Sequence, residues 1–142
     1  MGIISWGESM ILGTGIDIVE IDRIEAAISR ERFIQRVFTA AEQTYCNGRG
    51  RQRASSYAAR FAGKEAVLKA FGTGLVGGEL LNIEIMPNSE GCPQVFLTGY
   101  FADYAAGLGV TNIYISLTHA RQYAAANVIL WGGKVNESSN RG

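Results

Sequence analysis

The sequence carries no excess of either charge: thirteen Lys and Arg balance thirteen Asp and Glu over 142 residues. No global field therefore argues for nucleic acid or an anionic membrane as a partner. Histidine is nearly absent, His119 being the only one, and the two cysteines, Cys46 and Cys92, are far apart and fit no CxxC spacing. A histidine metal cluster and a Cys/His catalytic dyad are excluded, and neither a disulfide scaffold nor a structural zinc site is expected. Both cysteines are read as free thiols in a reducing compartment. No apolar run approaches the roughly 18 residues of a membrane span. The start lacks the basic region and long apolar core of a secretory signal, so a cytoplasmic location is expected. The phosphate loop GxxxxGK[ST] is missing too. The "GTG" at 13–15 lacks the continuation of a dinucleotide fingerprint, and that at 72–74 reads first as a helix end.

What is present is glycine, 18 residues of it, against a usual share of roughly 7%. Hydrophobic residues make up 47% and charged ones 18%, the composition of a globular chain long enough for one core and too short for two ordinary ones. A single domain is expected over 10–131. "MGIISWGES" at 1–9 is expected as an extension outside the fold and 132–142 as a polar tail.

"ILGTGIDIVEI" reads as a strand that puts Ile16 and Ile18 on one side and Asp17 on the other, beside Gly15 and Val19. Residues 20–29 and 31–37 read as helices from the spacing of Ile21, Ile24 and Ile28 and of Phe33, Ile34 and Val37. "TAAE" from Thr39 to Glu42 fits a capping box opening another helix, and "CNGRGRQR" reads as a flexible loop. A long helix is expected from near Ser55 to Phe71, capped by Gly72. "LNIEIM", "QVFL", "TNIYISLT" and "YAAANVILW" read as strands, with a helix after Thr98. That order predicts an α+β fold, a largely antiparallel sheet packed against a long central helix.

The long helix carries the densest chemistry. At about 100° per residue, Tyr57, Phe61, Leu68 and Phe71 form one stripe, with Lys64 near its centre, Arg60 near its edge, and Glu65 and Lys69 at the other edge as a candidate i,i+4 pair. Residues 49–69 hold six cations (Arg49, Arg51, Arg53, Arg60, Lys64, Lys69) against the single acid Glu65, a net of +5. Such a patch suits a ligand with several phosphates; the plain alternative is a solvated helix face. One carboxylate inside it makes sense if Glu65 holds a divalent cation bridging to phosphates, since Mg²⁺ takes one or two carboxylates plus substrate oxygens. The second carboxylate would be Asp17, in an apolar strand; the alternative for it is pairing with an Arg or capping a helix. His119, after Ser116 and Thr118 at a strand end, is either a structural residue or a phosphate contact and proton carrier.

Three separated stretches, "GTGIDIVEIDRI", "RFAGKEAVLKAFGTG" and "ISLTHARQYAAANVIL", resemble in order and spacing the holo-[acyl-carrier-protein] synthases, the short type of 4′-phosphopantetheinyl transferase. The resemblance runs from about Met10 to about Leu130. It implies that family's fold and transfer of phosphopantetheine from coenzyme A to a serine of apo acyl carrier protein, releasing adenosine 3′,5′-bisphosphate. It implies Asp17 and Glu65 as ligands of Mg²⁺, with Mn²⁺ as the other candidate ion. Arg60, Lys64, Lys69 and His119 become phosphate contacts, and Gly72-Thr73-Gly74 a backbone along which coenzyme A passes. Asp17, Glu65, Lys69 and His119 make up the implied catalytic set, with Glu65, a metal-bound water or His119 as proton acceptor. The carrier protein is expected to meet basic residues early in the chain, Arg23, Arg32 and Arg36 among them. A homotrimer is implied, with active sites between subunits and Asp17 and Glu65 meeting across an interface. The rival reading is a non-catalytic module that binds coenzyme A or a carrier protein.

Overall fold

The computed structural model describes residues 8–133. The chain opens with strand β1 (Ser9–Glu20), followed by three short helices, α1 (Ile21–Ala27), α2 (Glu31–Val37) and α3 (Ala40–Asn47), and then by the 19-residue helix α4 (Arg53–Phe71). Strands β2 (Ile83–Pro87) and β3 (Pro93–Leu97), helix α5 (Gly99–Leu108) and strands β4 (Val110–His119) and β5 (Tyr123–Gly133) complete it. The strands form an antiparallel sheet in the order β1-β5-β4 and a separate antiparallel pair β2-β3. This is the expected α+β fold. Pairing takes in Ser9 and continues to Gly133, while most of the expected extension and tail, 1–7 and 134–142, lies outside the described residues.

Helix α4 organises the core because one face of the large sheet is built to receive it. Along β5, Ala124, Ala126, Val128 and Leu130 are buried in strict alternation with residues that are not, the period-2 pattern of a half-covered strand. On β1 the corresponding positions are Gly13 and Gly15. A Cβ at Gly15 would land on the carbonyl oxygen of Ala66, and one at Gly13 on that of Ala70, so only glycine lets the strand backbone lie this close to the helix. Along α4 the residues facing inward are small, Ala62, Ala66 and Ala70, between Val67, Leu68 and Phe71. The helix stops at Gly72, which takes the left-handed conformation (φ 78°) and returns its N–H to the carbonyls of Leu68 and Lys69.

Thr39 begins α3 with the expected capping box: its hydroxyl accepts from the N–H of Glu42, and its own N–H donates to the Glu42 carboxylate at 2.9 Å. The stretch expected as a flexible loop is ordered differently. A 3-10 turn covers Gly50–Gln52, and α4 starts at Arg53. The Asn47 side chain ties this corner, accepting from Arg53 at 2.9 Å and from the Tyr57 hydroxyl at 2.8 Å.

The opposite face of the large sheet exposes large apolar side chains. Ile16 (67% exposed), Ile18 (63%) and Tyr114 (54%) project from it, Ile16 standing in register with Asn127 and Ser116 on the neighbouring strands.

Candidate active site

Asp17 is on the covered face of β1 and is only 15% exposed. Lys69, one helical turn after Glu65, reaches across from α4: its ammonium lies 2.9 Å from Asp17 Oδ1 and donates to the Ile16 carbonyl at 3.1 Å. The i,i+4 pairing of Glu65 with Lys69 gives way to this bond, because the glycines of β1 bring the strand within reach of the lysine. Glu65 is half-buried. Burial raises its pKa, the negative charge of Asp17 raises it further, and Lys69 acts in the opposite direction. Asp17 and Lys69 are therefore in direct contact within a single chain, and the charge of Asp17 is felt at Glu65. Lys69 in turn has its pKa raised by the hydrogen bond to Asp17.

Beyond the end of α4, Gly72 and Gly74 both take positive φ, and open space surrounds the positions their Cβ atoms would occupy. Thr73 donates its hydroxyl to the Gly74 carbonyl at 3.1 Å. The turn is thus an exposed stretch of backbone next to the carboxylate cluster in sequence.

Arg60 points elsewhere. Nine residues at about 100° each put it roughly opposite Lys69 on the helix. Arg60 is 5% exposed as a residue; its guanidinium donates from Nε to the Ile85 carbonyl at 3.2 Å and lies over the ring of Tyr45 at 4.4 Å. It opens into a cavity of about 170 Å³ that Arg49, Ser56, Thr118 and His119 also line. Arg60 and His119 are therefore brought together, on the flank of α4 away from Asp17 and Glu65.

Lys64 departs from expectation. It is fully buried, and its ammonium sits 2.8 Å from Glu42 Oε1 while donating to the carbonyls of Leu80 (3.1 Å) and Ile83. An ammonium has three hydrogens, and all three are engaged, so none remains for a phosphate. Burial lowers the pKa of Lys64, and Glu42 opposes that shift. Glu42, equally buried, also accepts from the N–H of Ile85 at 2.7 Å. Sequence reasoning took Glu42 for a cap alone. The signal available was a lysine at the centre of an apolar stripe, which demands a buried counter-charge.

Of the early basic residues, Arg30, Arg32 and Arg36 line an open groove of about 690 Å³ with Phe33 and Leu75. Arg23 is not among the residues lining it.

The chain is thus an antiparallel sheet under one long helix, with Asp17, Glu65 and Lys69 on one flank of the helix and a cavity lined by Arg49, Arg60 and His119 on the other. The sequence matches the profile of the 4′-phosphopantetheinyl transferase superfamily over residues 13–128, and the chain belongs to that family. Within it, the chain is similar to the holo-[acyl-carrier-protein] synthase of Koribacter versatilis, at 45% identity over 85% of this chain and 98% of that protein. That of Anaeromyxobacter dehalogenans is 44% identical over 87% and 98%. The fold superposes on the crystal structure of a holo-(acyl-carrier-protein) synthase from Bacillus anthracis in complex with CoA (3′,5′-ADP), with TM-score 0.72 and 32% identity over 87% of this chain and 99% of that one. The Helicobacter pylori synthase in complex with coenzyme A gives TM-score 0.72 and 31% identity, over 82% and 98%.

Proposed function

We infer that this chain transfers the 4′-phosphopantetheine group of coenzyme A to a serine of apo acyl carrier protein. The carrying observation is its near-full-length similarity to holo-[acyl-carrier-protein] synthases. The serine oxygen attacks the β-phosphorus of coenzyme A, the bond from that phosphorus to the bridging oxygen breaks, and adenosine 3′,5′-bisphosphate leaves with the charge. The hydroxyl proton passes to an acceptor, for which Glu65, a metal-bound water and His119 are the candidates.

The carboxylates of Asp17 and Glu65 fit a divalent ion such as Mg²⁺ or Mn²⁺. They are hard oxygen donors; burial, and after it the negative charge of Asp17, disfavours an ionised Glu65, while Lys69 acts in the opposite direction. With Asp17 and Glu65 as protein ligands, such an ion would take its remaining oxygens from phosphate and water. A bound ion would neutralise charge developing on the pyrophosphate. Lys69, bonded to Asp17 in the free chain, would be available to a phosphate oxygen if an ion took that carboxylate. Arg60 and His119 hold the other charged end of coenzyme A, while the exposed Gly72-Thr73-Gly74 backbone lies along its path.

These two groups stand on opposite flanks of α4, so a single ligand that meets both is held between two copies of the chain. The exposed Ile16, Ile18 and Tyr114 of the large sheet supply a surface for such self-association, and a homotrimer closes it by symmetry. The groove of Arg30, Arg32 and Arg36, cationic at its rim and apolar at Phe33 and Leu75, suits an acidic carrier protein. No helix among the described residues is long and apolar enough to cross a membrane, and the reading places the chain in the cytoplasm. Intact-mass analysis of apo acyl carrier protein after incubation with the chain, coenzyme A and Mg²⁺ tests the proposal: a gain of one phosphopantetheine, blocked by EDTA, is expected. No gain while coenzyme A binds tightly would instead identify a binding module.

A further inference from the structure

Tyr45 lies beside the cationic cavity on the far flank of α4 and carries no charge of its own. Its ring is shared by two cations: the guanidinium carbon of Arg60 stands 4.4 Å from the ring centroid and that of Arg49 5.4 Å. Both arginines and the tyrosine line the same cavity as His119, and no carboxylate is among the lining residues. Two guanidiniums gathered without an acid repel one another. A ring that offers its electron-rich face to each offsets that repulsion and fixes their planes.

The remaining bonds of the arginines show what the ring contributes. Arg60 is anchored at Nε by the Ile85 carbonyl at 3.2 Å, and one terminal nitrogen makes a long 3.4 Å contact with the Ser56 carbonyl. Arg49 donates to the Gln52 side chain at 2.7 Å. Neither arginine forms an ion pair among the described residues. Hydrogen-bonding capacity is left on both, which suits the planar, two-pronged recognition of a phosphate dianion.

We propose that Tyr45 is a positioning residue of this cavity, its ring holding the guanidiniums of Arg49 and Arg60 in the arrangement that receives a phosphate monoester of the nucleotide ligand. The proposal rests on the coenzyme A reading above and adds a residue of α3 that acts through the arginines. The hydroxyl is not needed for this role, whereas the aromatic face is.

The test uses the full chain and two variants, Tyr45→Phe and Tyr45→Leu. Steady-state kinetics should give Tyr45→Phe a KM for coenzyme A within about twofold of the parent. For Tyr45→Leu, a rise of roughly five- to thirtyfold is expected, with kcat and the KM for carrier protein little changed, which is the range a lost cation–π contact provides. A coenzyme A KM that stays at the parent value in Tyr45→Leu, or a loss confined to kcat, would overturn it. Thermal melting with and without adenosine 3′,5′-bisphosphate provides a readout independent of turnover. The ligand-induced rise in Tm should shrink in Tyr45→Leu and persist in Tyr45→Phe. A lower ligand-free Tm with an undiminished ligand-induced rise would mean a packing role only. If the parent transfers nothing to any carrier protein, the transferase reading fails while the melting comparison still decides the role of Tyr45. Should Tyr45→Leu not fold, Tyr45→Met fills similar volume and carries the same expectations.

Discussion

The ammonium of Lys69 stands 2.9 Å from Oδ1 of Asp17, so the carboxylate proposed as a ligand of a divalent cation is already engaged by a lysine. The bond joins α4 to β1, and Glu65 shares the cluster without taking the lysine from Asp17. If Asp17 is to hold a divalent ion, ion and ammonium would compete for it, and a phosphate would give the lysine another partner.

Replacing Lys69 with Met should therefore separate metal binding from turnover. With coenzyme A absent, the variant should bind Mg²⁺ or Mn²⁺ more tightly than the parent, since a competing cation is gone. Its transfer rate should fall by about a hundredfold or more, the scale on which a lost charge-stabilising group acts. Calorimetric titration with Mn²⁺ and the transfer assay check the two halves; weaker metal binding in the variant would contradict the competition.

Glu65 links pH to stability with a definite sign. Its folded-state pKa lies above the ordinary glutamate value because of burial and then of Asp17. Ionising it therefore costs stability. That cost is fully present above the folded pKa and vanishes as pH falls below the unfolded value. Glu65→Gln should raise the Tm of the metal-free chain near neutral pH and lose this advantage in acid. Mg²⁺ should raise the Tm of the parent and not of the variant.

Gly15 sets the distance between β1 and α4. Gly15→Ala would drive a methyl group into the Ala66 carbonyl, displacing the strand that carries Asp17 two residues on. A loss of about 1–3 kcal/mol is expected from overpacking, read by urea denaturation. A weaker response of Tm to Mg²⁺ should accompany it.

The buried pair Lys64–Glu42 predicts a strongly unequal double-mutant cycle. Lys64→Met strands the Glu42 carboxylate in the core and should cost about 3–5 kcal/mol. Adding Glu42→Gln to it should recover a large part of that loss, because the buried charge disappears while an oxygen remains for Ile85. Chemical denaturation of the three variants measures the coupling.

The legible and illegible parts of this chain divide along physical lines. Alternation in β1 placed Asp17 opposite Ile16 and Ile18, and the lone acid of a cationic helix singled out Glu65, because both are short-range patterns. Helical rotation also separated Arg60 from Lys69. What the pattern could not supply was the partner of each charge. Lys64 finds Glu42 of α3 and carbonyls from the segment entering β2, contacts fixed by how those elements pack. Lys69 prefers Asp17, distant in sequence, over Glu65 one turn away, since two glycines of β1 bring the strand to the helix. The contact of Tyr45 with Arg60 is likewise a product of α3 lying against α4, whereas Arg49 stands only four residues after Tyr45, a local spacing.

The opposite flanks of α4 are the centre of the account, and mixing two inactive variants tests it most directly. Arg60→Met should empty the cationic cavity, Glu65→Gln should disable the carboxylate cluster, and each chain alone should be inactive at low coenzyme A. Refolded together in equal amounts, the two should regain about a quarter of parental activity, as random association into a closed homo-oligomer pairs one intact half with the other. Mixed oligomers, verified by native mass spectrometry, that remain as inactive as their parents would contradict a site shared between chains.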